Sequence, residues 1–156
     1  MRVRSYCLLR NRSTDRVTLR VKKFYNVPDG LGRLTSPEVV YEFASKQLRL
    51  CDLAEEETYL LAVDTKSKVL GLFLVSHGTM NSSILNPREI LMRALLVGAC
   101  SIIILHNHPR LDTTPSEDDI LVTRRVKDAC ALVGVTLLDH VIIGDGYYSL
   151  KENLKM

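Results

Sequence analysis

The chain has 156 residues, 46% of them hydrophobic and 25% charged, with a net charge of +3. That mix is the composition of a soluble globular domain, long enough to bury a core without disulfides, and it excludes disordered and fibrous classes. No apolar run reaches the length that crosses a bilayer, and the apolar run after the basic start M-R-V-R is too short for a signal peptide.

The segment from Arg2 to Lys23 carries most of the positive excess, and a nucleic-acid contact there is one reading of it. The plainer reading is a solvated, partly flexible leading segment. Within it, Val17, Leu19 and Val21 alternate with polar residues, which predicts one half-buried strand from Val17 to Val27. Residues 1–34 are thus expected to form a basic leading segment, part of or packed on the domain formed by residues 35–156. Pro28, Asp29, Gly30 and Gly32 predict a turn or loop.

Ser36-Pro37-Glu38 opens a helix, with Ser36 as cap and Pro37 at the first helical position. Val40, Phe43, Ala44 and Leu48 form its apolar stripe. After Glu55-Glu56-Glu57, the runs T-Y-L-L-A-V-D and V-L-G-L-F-L-V flank a short polar turn and read as an antiparallel hairpin. A loop from His77 to Leu85 follows. Asn86-Pro87-Arg88-Glu89 then starts a second helix, with Glu89 reaching back to the cap, and the helix runs to about Ala99.

Ser101 to Leu105 is a β-branched run that predicts a strand buried on both faces, ending in His106-Asn107-His108-Pro109. A third helix starts at Thr114-Pro115-Ser116-Glu117 and ends near Gly134. Val135 to Ile143 is a strand, Asp145-Gly146 a tight turn, and Tyr147 to Leu150 a short last strand. This order predicts a mixed sheet with helices packed on it, an α/β class. Cys7, Cys51, Cys100 and Cys130 form no C-x-x-C pair and no zinc-finger spacing, so free thiols in a reducing, cytoplasmic setting are expected.

His106 and His108 stand two apart at a strand tip, so their side chains point to one face and can share a metal ion. At 100° per residue, Val122, Val126, Ala129, Cys130 and Val133 fall within about 80° of Asp119 on the third helix. Asp119 therefore heads the stripe that faces the core, where a carboxylate needs a cation. Ser116-x-x-Asp119 also matches a capping box, but Thr114-x-x-Glu117 matches one too. With Thr114 as the cap, Ser116 and Asp119 are free for other work. Two histidines, a carboxylate and an open position make a catalytic zinc arrangement, in which bound water becomes a nucleophile near neutral pH.

H-N-H-P-R-L-D-T-T-P-S-E-D-D resembles the JAMM motif: His-x-His, seven residues, Ser, two residues, Asp. The stretches G-T-M-N-S-S-I-L-N-P-R-E-I and L-L-D-H-V-I-I-G-D-G are similar to the RadC family of bacterial JAMM/MPN proteins, a likeness that covers roughly Ala54 to Leu150. The resemblance implies a three-layer α/β fold of the cytidine-deaminase-like type. It also implies zinc on His106, His108 and Asp119, with Ser116 as oxyanion stabiliser. It further implies an upstream glutamate as general acid/base, for which Glu57 is placed ahead of Glu56 and Glu89. The implied activity is hydrolysis of an amide or isopeptide bond; the other reading is a non-catalytic or DNA-associated binding module. Nothing here reads as the helix-hairpin-helix region of longer RadC relatives, which weakens a DNA-repair reading. Pro109-Arg110-Leu111-Asp112 departs from the usual Pro-Ser-Gly-Asp, which points to altered substrate access; Asp112 is expected to shape the loop. The spacing leaves open whether Asp139 or His140 touches the site, since alternation sends them to opposite faces. The nearest competing metal motifs lack their own ligands here. Arg110 stands where a metallo-β-lactamase aspartate belongs, and the deaminase Pro-Cys-x-x-Cys is absent.

Overall fold

The computed structural model describes residues 2–27, 36–78 and 85–156. Among them, seven strands form one mixed sheet: β1 (Arg2–Arg10), β2 (Val17–Asn26), β3 (Glu57–Val63), β4 (Val69–His77), β5 (Ser101–Asn107), β6 (Thr136–Gly144) and β7 (Gly146–Ser149). Their order across the sheet is β2-β1-β4-β3-β5-β6-β7. The continuous apolar runs of β3 and β5 lie side by side near its middle, buried along almost their whole length, because only a strand covered on both faces can use such a run.

Three α-helices cover the sheet among the described residues: α1 (Pro37–Phe43), α2 (Pro87–Leu96) and α3 (Glu117–Leu132). On one face Val40, Phe43 and Ala44 pack against Tyr59, Leu61, Ile103, Leu105, Val141 and Ile143. On the other, Ile90 and Ala94 of α2 and Val126 and Cys130 of α3 pack against Leu60, Ala62, Ile102 and Ile104. The result is the three-layer α/β sandwich that the resemblance implies, with odd and even residues of each central strand serving opposite cores. β3 and β4 pair antiparallel, as their hairpin pattern requires, while β5 and β6 pair parallel and α3 makes the crossover between them.

The leading segment differs from expectation. It holds two strands, not one, and joins the main sheet through Ser5 and Tyr6 against Leu72 and Phe73 of β4. The register with β2 shifts between Ser5 and Tyr6, leaving Lys22 as an extra residue. That bulge and the flanking arginines blur the period-two signal of β1 in the sequence. The turn predicted at Pro28–Gly32, and most of the loop predicted from His77 to Leu85, lie outside the described residues.

Helix ends are corrected in three places. Ser36 precedes α1 but makes no side-chain cap bond, and α1 gives way to a π-helical turn at Ala44–Leu48. Asn86 caps α2 through the Arg88 N–H, whereas Glu89 does not reach back; its carboxylate pairs with Arg93 one turn on, at 2.8 Å. The cap of α3 is Ser116, not Thr114.

Candidate metal centre

β5 carries His106 to the edge of the core and delivers His108 one step past its end. Leu105 serves the α1 core and Ile104 the α2/α3 core, so alternation turns His106 toward α3. There Asp119 meets both rings. Its Oδ1 lies 3.4 Å from Nε2 of His106, and its Oδ2 lies 3.5 Å from Nε2 of His108. The two Nε2 atoms are 3.0 Å apart.

The other nitrogen of each ring is already engaged. Nδ1 of His108 sits 2.7 Å from the backbone carbonyl of Asp112, which only accepts, so Nδ1 carries the proton and Nε2 is left to bind. Nδ1 of His106 sits 2.7 Å from Nε2 of His140. Two imidazole nitrogens and a carboxylate thus converge on one point. Ligand atoms of a tetrahedral zinc site stand roughly 3.3 Å apart, and this triad is close to that spacing. His106, His108 and Asp119 are the group among the described residues that could hold a metal ion.

The electrostatics also call for a cation. Burial pushes His106 well below the ordinary histidine range, with His140 adding to that. His108 moves the other way, raised by its hydrogen bond to Asp119 against the effect of burial. Burial alone would raise the Asp119 carboxyl, but His108, His106 and Ser116 hold it far below the usual carboxylate range. The Asp119 carboxylate faces the Nε2 atoms of both rings, which is where a divalent ion would sit.

Ser116 and Asp119 form a full capping box at the start of α3. Oγ of Ser116 accepts the Asp119 N–H at 3.1 Å, while Oδ2 of Asp119 accepts the Ser116 N–H at 2.8 Å and its O–H at 2.6 Å. Capping therefore leaves Asp119 able to serve a metal, because the box aims its carboxylate at the histidines. The Ser116 hydroxyl donates its proton to the Asp119 carboxylate.

Glu57, the expected acid/base, has its carboxylate engaged away from the triad. It shares the face of Tyr59 and Leu61, away from His106. Its Oε2 accepts the Tyr59 hydroxyl at 2.8 Å, and its Oε1 lies 3.5 Å from His77. The half-buried carboxyl of Glu56 is raised by burial and feels the charges of both His108 and Asp119. The register Thr58↔His106 brings the start of β3 alongside the end of β5. Asn107, between the two histidines and 1% exposed, then clamps that segment. Its amide accepts the Glu57 N–H at 2.8 Å and donates to the Glu55 carbonyl at 3.0 Å, gripping the backbone on both sides of Glu56.

A family model described as a RadC-like JAB domain matches residues 34–155. Among similar proteins, a UPF0758 protein of Pelobacter propionicus is 42% identical over 120 residues, covering 77% of this chain and 52% of its own length. One from Clostridium perfringens is 44% identical over 121 residues, with coverage of 77% and 52%. One from Methanosarcina acetivorans is 41% identical over 121 residues with the same coverage.

This chain belongs to the RadC family.

It spans about half the length of the curated relatives it matches. The RadC-like domain includes β3 to β7 and all three helices, while β1 and β2 lie before the matched residues.

In this RadC-like domain the remaining polar residues divide as alternation demands. His140 points to the site. Asp139 points away, accepting the Ser149 hydroxyl at 2.6 Å and the His140 and Lys151 N–H groups. The carboxylate of Asp112 shapes its loop by accepting the Thr114 N–H at 2.9 Å. Leu111 next to it takes a left-handed backbone with φ of 63°. Its carbonyl lies where a Cβ on Gly144 would stand, so that approach requires glycine. Sequence reasoning missed Asn107 and Thr123 as site residues. No spacing rule marks an amide between the two histidines, and Thr123 reads as one more residue of the buried stripe of α3.

Proposed function

We propose that the domain is a zinc-dependent hydrolase of amide or isopeptide bonds. The observation that carries this reading is the convergence of two imidazole nitrogens and one carboxylate beside a half-buried second carboxyl, that of Glu56. His106, His108 and Asp119 would hold the ion. When bound, zinc supplies an activated water and polarises a carbonyl. Glu56 takes the proton released at the attacking oxygen and returns it to the leaving amine, a task suited to a carboxyl whose affinity for protons is raised by burial. Ser116, whose hydroxyl is already beside the ligand carboxylate, is assigned to the developing oxyanion. The exposed Arg110-Leu111 loop, which follows His108 directly, borders the entrance and would select the substrate.

The test is hydrolysis of peptide and isopeptide libraries by zinc-loaded protein. Cleavage that a chelator abolishes and added zinc restores is the expected result. No cleavage by protein holding full zinc would reject the reading.

A second reading, a nucleic-acid contact, has its own observation. Residues 1–27 hold eight basic side chains and one acid, a net +7, whereas the whole chain is +3, which leaves −4 on the remainder. These charges line the exposed two-stranded ribbon β1–β2, where one pair, Arg10 with Asp15 at 2.7 Å, is internally neutralised. A ribbon of this kind would grip phosphates without reading bases. Duplex DNA binding should weaken steeply between about 50 and 200 mM salt, and Arg16→Gln with Arg20→Gln should flatten that slope. Absence of binding at the lower salt would reject it.

A further inference from the structure

Behind the metal triad runs a second line of polar atoms in the core between β5, β6 and α3. Nδ1 of His106 is 2.7 Å from Nε2 of His140, and Nδ1 of His140 is 2.6 Å from Oγ1 of Thr123. Thr123 in turn donates to the backbone carbonyl of Asp119 at 2.5 Å. His106, His140 and Thr123 are 1%, 0% and 0% exposed, so bulk solvent does not reach them. The line begins at one metal-ligating residue and ends at another.

Its polarity can be read from one end. A carbonyl oxygen only accepts, so the single hydroxyl proton of Thr123 goes to Asp119. Oγ1 must then accept from His140, which places a proton on Nδ1 of His140. A buried imidazole with no carboxylate against it is neutral, so Nε2 of His140 bears a lone pair and accepts from Nδ1–H of His106. Nε2 of His106 is left unprotonated, aimed at Asp119 and His108.

We propose that His140 and Thr123 are positioning residues that lock His106 in its Nδ1–H tautomer and brace β5 against α3, so that the triad is preorganised for the metal. The proposal rests on the reading that His106 and Asp119 are ligands. Outer partners of this kind orient a ligating histidine and typically change metal affinity about 10- to 100-fold. No local spacing marks the line, because its links join residues far apart in the chain: 17 positions between Thr123 and His140, and 34 between His106 and His140.

The test uses Thr123→Val, which keeps the buried shape but can neither donate nor accept, and Thr123→Ser, which keeps the hydroxyl. Nitrogen NMR of the imidazole rings in metal-free protein reads the tautomers directly. Zinc competition against a chromophoric chelator reads affinity. The wild type should show His106 protonated at Nδ1. Thr123→Val should mix the His106 tautomers and weaken zinc roughly 10- to 100-fold, and Thr123→Ser should restore both. A wild-type His106 protonated at Nε2, or a Thr123→Val protein with unchanged spectra and zinc affinity, would overturn the proposal. Wild type with the Nδ1–H tautomer but no zinc binding would instead reject the metal reading and leave the relay standing. If Thr123→Val does not fold, Thr123→Ala read by the same spectra replaces it.

Discussion

Glu56→Gln should slow hydrolysis by roughly 10²–10⁴-fold, the usual range for loss of a general acid/base. Glu57→Gln should stay within a few-fold of wild type. The physical difference is one residue of strand alternation. Glu57 points with Tyr59 into the α1 side, where its carboxylate accepts the Tyr59 hydroxyl. Glu56 faces the side of His108 and Asp119, and its charge is felt by both. The glutamine keeps the size of the side chain and removes only its proton chemistry, so zinc content and melting temperature should not change in Glu56→Gln. The reverse pattern, a dead Glu57→Gln and an active Glu56→Gln, would contradict the assignment.

Asp119→Ala should have two separable effects. It removes a metal ligand, so zinc affinity should fall by more than the roughly 100-fold upper range of outer-partner losses. It also removes one arm of the α3 capping box. With no metal present, the variant should therefore still be destabilised, by about 1 kcal/mol, as loss of a helix cap predicts. Chemical unfolding of both proteins in chelator checks this second effect. Equal metal-free stability would mean that the box, seen as reciprocal bonds between Ser116 and Asp119, contributes nothing.

Much of this was legible in the residues themselves. The β-branched run Ser101–Leu105 announced a buried strand, and the pair of histidines at its tip pointed to the cluster that could hold a metal. The stripe on α3 put Asp119 on the correct side of its helix even though the cap was assigned to the wrong residue. Thr114 and Ser116 both satisfy the capping pattern, and only the backbone turn at Ser116 decides between them. The order of Glu57 ahead of Glu56 had no register behind it. The choice depends on pairing Thr58 with His106, a register between segments 48 residues apart that no local pattern encodes. The same holds for Asn107 and Thr123, whose partners come from other elements. The leading strand β1 was hidden because its polar and apolar residues mix and its pairing with β2 is interrupted by a bulge.

The most direct test of the central claim is metal content. Purified wild-type protein, dialysed against trace zinc, should carry close to one zinc per chain by elemental analysis, and the folded double variant His106→Ala with His108→Ala should carry almost none. A folded wild type that binds no zinc, or a double variant that keeps it, would contradict the assignment of His106, His108 and Asp119 as a metal centre.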